Sequence, residues 1–295
     1  MNSLNSDYKL YLKLLRPWQW AKNTLIIIPI VLSNSFGLDK FLDSIGIFFL
    51  FSFYVSGNYI LNDLNDIDLD RNHPEKKYRP IASGEVSEKV AKRIAYFLLI
   101  SSLLITFINY EVEIVYLYLI YLFIAVVYTK SLKFVNFIDS IAISTLFLIR
   151  LTIGGIVVNL DITIFLYIFT FFISMFIVYL KKNSILHKKL LDDNLFHKKL
   201  IDQNSKLNFK YILIMLGIAT NLSLILWSMN LTKDFSNYKW IALIAYNVIF
   251  AYIIYRLINN SKKAELEDFV FGLFKDKVLI GLLVAILILF VYFYF

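Results

Sequence analysis

Cysteine is absent from the sequence, so disulfides, thiol nucleophiles and thiolate metal sites drop out of consideration. The three histidines, His73, His187 and His197, are too dispersed in sequence to suggest a zinc set. Proline is scarce, with four residues, and charge is scarce as well, Asp, Glu, Lys and Arg making up 18 % of the chain. Ordinary soluble domains carry about 25 %. No glycine-rich phosphate loop runs into Lys-Ser or Lys-Thr, and no dinucleotide-binding glycine fingerprint occurs. Residues 1–23 mix polar and apolar side chains, with Lys9, Lys13, Arg16 and Lys22 scattered among them, so a cleavable signal peptide is not expected.

What fills the chain instead is apolar. Of its 295 residues 59 % are hydrophobic and 17 % aromatic, and the mean hydropathy is +0.67. Apolar runs recur from about residue 24 to the end, the pattern of an integral membrane protein whose helices pack as one unit over 1–295. Residues 8–22 place Leu10, Leu14, Leu15 and Trp18 near one helical side and lysines elsewhere, which reads as an amphipathic interfacial helix with Trp18 and Trp20 at headgroup level. Nine spans are predicted, at about 23–36, 41–61, 93–110, 114–128, 137–158, 162–180, 211–229, 239–257 and 278–295. The first is short and contains Pro29. Gly57 and Asn58, near the end of the second, allow close helix approach and a polar contact.

The net charge of +8 would suit a nucleic-acid binder, but these basic residues lie between apolar spans and are judged by membrane side. With the N-terminus inside, segments 62–92, 129–136, 181–210 and 256–277 face the cytoplasm. Of the 30 Lys and Arg, only Lys40, Lys233, Lys239 and Arg150 fall away from the N-terminal segment, those four loops and their borders. That bias predicts the orientation, and no nucleic-acid partner is expected.

The densest polar stretch, Asn62-Asp63-Leu64-Asn65-Asp66-Ile67-Asp68-Leu69-Asp70-Arg71, follows directly on an apolar span. Asp63, Asp66 and Asp70 are spaced i, i+3, i+7, so a continuing helix puts all three on one face and turns Asp68 elsewhere. Three like charges on one face are costly unless cations sit there, and oxygen-rich carboxylate sites suit magnesium alongside substrate phosphates. A helix end with ordinary solvated charges is the other reading of the same residues. Within span five, Arg150 is expensive in a membrane, and either lines a polar cavity or pairs with a buried carboxylate or carbonyl. Asp139 lies about three turns before it, too far for direct contact. Lys133, Tyr128 and Ser131, and Lys181 with Lys182, end spans at the predicted cytoplasmic level. A carboxylate cluster and several cations on one membrane face would suit a diphosphate, while grooves between helices would take an isoprenoid tail.

Asn62-Asp63-x-x-Asp66-x-x-x-Asp70-Arg71 resembles the aspartate motif of the UbiA superfamily of intramembrane prenyltransferases. The opening Leu15-Arg16-Pro17-Trp18-Gln19-Trp20-Ala21-Lys22-Asn23 and the loop His73-Pro74-x-Lys76-x-x-Arg79-Pro80-Ile81-Ala82-Ser83-Gly84 look like the decaprenyl-phosphate phosphoribosyltransferase branch. Tyr128, Ser131, Leu132, Lys133, Asp139 and Arg150 are similar to that branch in order, so the likeness covers at least residues 15–182. The resemblance implies an all-α polytopic membrane protein, with nine transmembrane helices surrounding a central cavity open to the cytoplasmic side of a bacterial-type inner membrane. It implies magnesium-dependent transfer of phosphoribose from 5-phosphoribosyl diphosphate to a polyprenyl monophosphate, with release of diphosphate, in cell-wall precursor synthesis. Carried over, Asn62, Asp63, Asp66 and Asp70 would hold magnesium; Asp63, Asp66, Asp70 and Lys133 become the catalytic candidates. Lys22, Asn62, Arg71, Lys76, Arg79, Tyr128, Asp139, Arg150 and Lys181 become candidates for binding substrate.

The sequence departs from that branch after span six, where Lys181-Lys182-Asn183-Ser184-Ile185 has no nearby acidic residue. The second aspartate motif of aromatic prenyltransferases is not clear either: Asp192, Asp193 and Asp202 lie in the third loop at a different spacing. Two alternatives stand beside phosphoribosyl transfer: prenyl transfer from a polyprenyl diphosphate to an aromatic acceptor, and a non-enzymatic lipid-binding or transport protein.

Overall fold

The computed structural model describes residues 10–33, 37–132, 135, 137–188, 208–231, 237–261 and 275–294. Every regular element among them is helical. A short helix at 10–15 leads into a 3₁₀ helix, Pro17–Ile26. The α-helices then follow as α1 (Ile28–Leu32), α2 (Leu38–Asn65), α3 (Ile67–Arg71), α4 (Glu88–Asn109), α5 (Val112–Val127), α6 (Ile138–Val158), α7 (Ile164–Lys188), α8 (Phe209–Leu231), α9 (Asn237–Ser261) and α10 (Lys277–Tyr294). Among the described residues seven segments are long and apolar enough to cross a membrane, within α2, α4, α5 with the turn after it, and α6 to α9; an eighth, in α10, is shorter. The protein is a multi-pass membrane protein.

The first predicted span is corrected. The described part, 23–33, is broken rather than one continuous α-helix: 23–26 close the 3₁₀ helix, and α1 restarts at Ile28 and ends at Leu32. Proline explains the break. Pro29 lacks an N–H and is tolerated only near a helix start, so a new helix begins beside it. The segment also carries groups that need polar partners. Asn23 is fully buried and donates to Ser52 Oγ at 3.0 Å, and Trp20 Nε1 donates to Ser56 Oγ at 3.0 Å, which ties the 3₁₀ helix to α2. Trp20 is therefore anchored to protein, while Trp18 stays exposed.

Two compact units divide the chain, Met1–Lys133 with Leu146–Ile162, and Phe134–Thr145 with Thr163–Phe295, so the boundary falls inside α6. In the first, Phe51, Tyr54 and Val55 of α2 pack with Tyr118 and Tyr121 of α5 and Ile149 and Ile153 of α6. Tyr54 donates its hydroxyl to the Tyr118 carbonyl at 2.9 Å, which satisfies a polar atom inside this apolar cluster. Two glycines permit close approach. A Cβ on Gly57 would lie 2.9 Å from the Ala95 carbonyl of α4, and one on Gly154 would lie 2.3 Å from the Ile26 carbonyl. Gly154 thus admits the end of the 3₁₀ helix against α6.

The second unit is built on Phe176, Tyr179 and Leu180 of α7, Leu213 of α8, Ile253, Ile254 and Leu257 of α9, and Leu279 of α10. Asp276 begins α10: its carboxylate accepts from the backbone of Val278 and Leu279, and receives Arg256 Nε at 2.5 Å and Nη2 at 2.9 Å. In both units large apolar side chains face outward, Phe97, Ile108 and Phe123 of the first and Met215 and Val248 of the second among them. Helices that keep such residues outside and satisfy their backbone internally suit a hydrocarbon surround.

Candidate active site

The acidic stretch lies where α2 gives way to α3. The helix halts at Asn65, Asp66 takes φ −97° and ψ 10°, and α3 resumes at Ile67. Backbone bonds bridge the interruption, Asp66 N to the Asn62 carbonyl at 3.0 Å and Asp70 N to the Asp66 carbonyl at 2.9 Å. The helical phase therefore survives the turn. Asp63, Asp66 and Asp70 are buried, and the Asp68 side chain is 90 % exposed.

Arginines cover two of these carboxylates. Arg79 Nη1 lies 3.1 Å from Asp63 Oδ1 and 2.6 Å from Asp70 Oδ2, bridging the two. Arg16 Nη2 donates to the other oxygen of Asp63. Burial pulls the Arg16 guanidinium below its ordinary pKa, against the opposing pull of Asp63; an arginine stays charged nonetheless. The Arg16 backbone is left-handed, at φ 54° and ψ 56°, immediately before Pro17. That combination is sterically disfavoured for a residue with a Cβ.

The remaining ligand candidate of the motif is tied to another helix. Asn62 Oδ1 accepts from Thr129 Oγ1 at 2.8 Å. Thr129 stands in a π-helical turn, Tyr128–Leu132, at the end of α5, and such turns are frequent at functional sites. Tyr128 lies in the same turn; Lys133 lies outside the described residues, as do Asp192, Asp193, His197 and Asp202. After α3 the loop is folded on itself. His73 is buried, and its Nδ1 accepts from the backbone N–H of Glu75 at 3.2 Å and Lys76 at 3.3 Å. Those bonds turn the chain so that Arg79 returns to Asp63, sixteen residues earlier, and to Asp70, nine residues earlier. Arg71 points outward, with Asp68 at 3.5 Å and Glu88 at 3.9 Å. Lys76 is half-buried in a 3₁₀ turn, and Lys22 donates to Gln19 Oε1 at 2.6 Å.

Arg150 is fully engaged by its own unit. It donates from Nε to Asn23 Oδ1 at 2.8 Å, from Nη1 to the Leu146 carbonyl at 2.6 Å and from Nη2 to the Tyr121 hydroxyl at 2.9 Å. The rings of Phe51, Tyr121 and Phe147 lie within 5.5 Å of its guanidinium carbon. Its hydrogen-bond partners are a carbonyl and neutral side chains, with no carboxylate among them. Asp139 and Lys181 belong to the second unit. There Asp139 is paired with Lys182, at 2.6 Å and 2.8 Å to its two oxygens, and Lys182 also reaches Ser140 Oγ at 3.2 Å. The neighbouring Lys181 is exposed.

Sequence reasoning thus passed over Arg16, Thr129 and Lys182. Arg16 stood in the quoted opening motif without a role; Thr129 carried no signal; Lys182 was indistinguishable from Lys181 by type alone.

Asn62, Asp63, Asp66 and Asp70 offer only oxygens, the donor set of a hard divalent cation. Among the described residues no three acidic, histidine or cysteine side chains converge as a ready-made metal site. The donors fit magnesium in kind, and Arg79 is held between Asp63 and Asp70.

The UbiA prenyltransferase family matches residues 26–275, most of the chain. The chain belongs to the UbiA family. Among curated UbiA relatives, decaprenyl-phosphate phosphoribosyltransferase of Mycobacterium tuberculosis is 29 % identical over 180 residues, 59 % of this chain and 59 % of that one. Digeranylgeranylglyceryl phosphate synthase of Methanocaldococcus jannaschii is 35 % identical over 107 residues, 34 % of this chain and 35 % of that one. The chain therefore spans less than two thirds of the length of either. Of solved structures, a UbiA homolog from Archaeoglobus fulgidus bound to DMAPP and Mg2+ superposes with a TM-score of 0.66 at 20 % identity, covering 96 % of this chain and 97 % of that one. That likeness establishes the UbiA fold.

Proposed function

We propose that this UbiA-family enzyme transfers 5-phosphoribose from 5-phosphoribosyl diphosphate to a polyprenyl monophosphate and releases diphosphate. The observation that supports it is Arg79. It comes from the loop that resembles the phosphoribosyltransferase branch, and it is held on two carboxylates of the acidic motif. Mycobacterial relatives are named decaprenyl-phosphate phosphoribosyltransferase, which supports transfer of phosphoribose to a polyprenyl phosphate. In this reading a lipid phosphate oxygen attacks ribose C1 as the C1–O bond to diphosphate breaks, and the leaving group takes the bonding electrons. The lipid phosphate is already ionised near neutral pH, so no general base is needed. Catalysis is alignment and charge stabilisation.

Asn62, Asp63, Asp66 and Asp70 would hold magnesium, which would supply positive charge to offset that of the departing diphosphate. Arg79 and Lys76 would bind the diphosphate, with Lys22, Arg71 and Lys133 as further phosphate contacts and Tyr128 as a contact to the sugar donor or lipid. Arg150 would serve through the residues it fixes, Asn23 and Tyr121, rather than by direct contact. The acidic motif and its loop would face the cytoplasm, with the lipid tail among the helices.

A second reading is prenyl transfer from a prenyl diphosphate to an acceptor. The archaeal synthase relative and the solved homolog bound to DMAPP and Mg2+ favour it. One experiment separates the two. The purified protein in lipid nanodiscs, given labelled 5-phosphoribosyl diphosphate and polyprenyl phosphates of several lengths, is expected to form a lipid-linked phosphoribose only with a divalent cation. Consumption of a prenyl diphosphate instead, with no sugar transfer to any lipid length, overturns the first reading in favour of the second.

A further inference from the structure

The carboxylates assigned above to a divalent cation are already committed to cations of the chain's own. Arg79 Nη1 bridges Asp63 Oδ1 and Asp70 Oδ2, at 3.1 Å and 2.6 Å, and Arg16 takes the second oxygen of Asp63. Magnesium needs oxygens at about 2.1 Å. A guanidinium resting on the same oxygens blocks that approach and repels the incoming charge. The arginines and a metal therefore compete for Asp63 and Asp70.

A diphosphate removes the conflict, because a guanidinium fork matches phosphate oxygens as well as it matches a carboxylate. We propose that Arg16 and Arg79 are exchangeable counter-ions: before ligand binds they hold Asp63 and Asp70, and they pass to the diphosphate oxygens as the metal takes the carboxylates. The proposal rests on the metal-diphosphate reading above. It gives Arg16 a diphosphate-binding role that the sequence did not suggest. The residue is held left-handed ahead of Pro17, makes no side-chain cap for the 3₁₀ helix it precedes, and spends its guanidinium on Asp63. A disfavoured backbone that delivers one charge to one carboxylate is the kind of local strain retained at working sites.

The consequence is an order of assembly. Metal alone must displace two guanidiniums from the carboxylates that pair them, with no anion to receive them, so it binds weakly. With diphosphate present each ligand strengthens the other by the same factor, as linkage requires. A phosphate group would thus admit the metal, and the site would stay closed to free divalent cations.

The test is Mn2+ binding to the full chain in zwitterionic lipid nanodiscs, read from the electron paramagnetic resonance of free Mn2+, with and without inorganic diphosphate. Arg79→Gln and Arg16→Gln are each expected to bind Mn2+ alone on the order of tenfold more tightly than the unaltered protein. The enhancement by diphosphate should shrink in both. Metal-only affinity that is unchanged or weaker in these variants overturns the proposal and leaves the metal reading standing, since arginines that merely support the carboxylates would give that result. Melting temperatures are taken first. Should Arg79→Gln not fold, Arg16→Gln and the charge-retaining Arg79→Lys carry the comparison, the latter expected to keep the weak metal-only affinity. If Mn2+ binds neither the unaltered protein nor any variant under either condition, the metal reading itself fails and the proposal with it.

Discussion

Arg150 Nε donates to Asn23 Oδ1 at 2.8 Å, joining residues 127 positions apart in the chain. The acceptors on its other nitrogens, the Leu146 carbonyl and the Tyr121 hydroxyl, are uncharged as well. A cation placed in a spanning helix is thus stabilised by dipoles and aromatic faces. It bolts the 3₁₀ helix to α5 and α6. Arg150→Lys keeps the charge but cannot serve three acceptors in a plane, so Asn23 Oδ1 or Tyr121 loses its donor. A loss of about 2 kcal/mol is expected, read as a lower melting temperature in detergent.

Gly154 makes the same joint by steric means. A Cβ there would stand 2.3 Å from the Ile26 carbonyl, a backbone atom that cannot swing aside, whereas one on Gly281 of α10 meets nothing within 4 Å. Gly154→Ala is expected to cost about 2 kcal/mol through overpacking and to loosen the N-terminal segment, seen as faster amide exchange over 17–32. Gly281→Ala should be neutral, or gain up to about 1 kcal/mol from helix propensity.

Lys182 and Lys181 are adjacent and alike in type but differ in burial. Lys182 lies 2.6 Å from Asp139 Oδ2 in a mostly buried pair, and Lys181 is exposed. Lys182→Met strands a buried carboxylate and is expected to destabilise by about 3 kcal/mol. Adding Asp139→Asn should restore much of that loss, because the buried charge is then gone. Lys181→Met should leave the melting temperature almost unchanged. A double-mutant cycle of melting temperatures, in which Lys182→Met and Asp139→Asn prove simply additive, would contradict the coupling.

These contrasts mark how far the sequence could be read. Spans two to eight were legible because about twenty apolar residues in a row admit one solution in a membrane. The Asp63, Asp66, Asp70 face was legible because helical phase depends on spacing alone, and it survived even the turn at Asp66. Arg16, Thr129 and Lys182 were not legible. Each acquires its role from a partner far along the chain, Arg16 from a carboxylate 47 residues on and Thr129 from Asn62 across 67. The break in the first span was legible from Pro29, whereas the bonds that bury Asn23 were not, because its partner lies on α2.

The acidic motif supplies its own control. Asp63, Asp66 and Asp70 are buried on one side, and Asp68, two residues from two of them, has its side chain 90 % exposed with a 3.5 Å contact to Arg71 that solvent screens. Composition and net charge are altered equally by changing any of the four to Asn. If the motif acts only through its overall acidity, all four changes reduce transfer alike. If it acts through the buried face, Asp63→Asn and Asp70→Asn each lower kcat on the order of a hundredfold or more, the scale for losing one group that stabilises transition-state charge. Asp66→Asn should fall in the same class, and Asp68→Asn should retain nearly full turnover and lose no more than about 0.5 kcal/mol of stability. Steady-state transfer assays at saturating divalent cation, with the melting temperature of each variant alongside, separate a lost ligand from a lost fold: Asn is nearly isosteric with Asp and still offers Arg79 an oxygen, so a fall in kcat without a fall in melting temperature assigns the effect to the carboxylate charge.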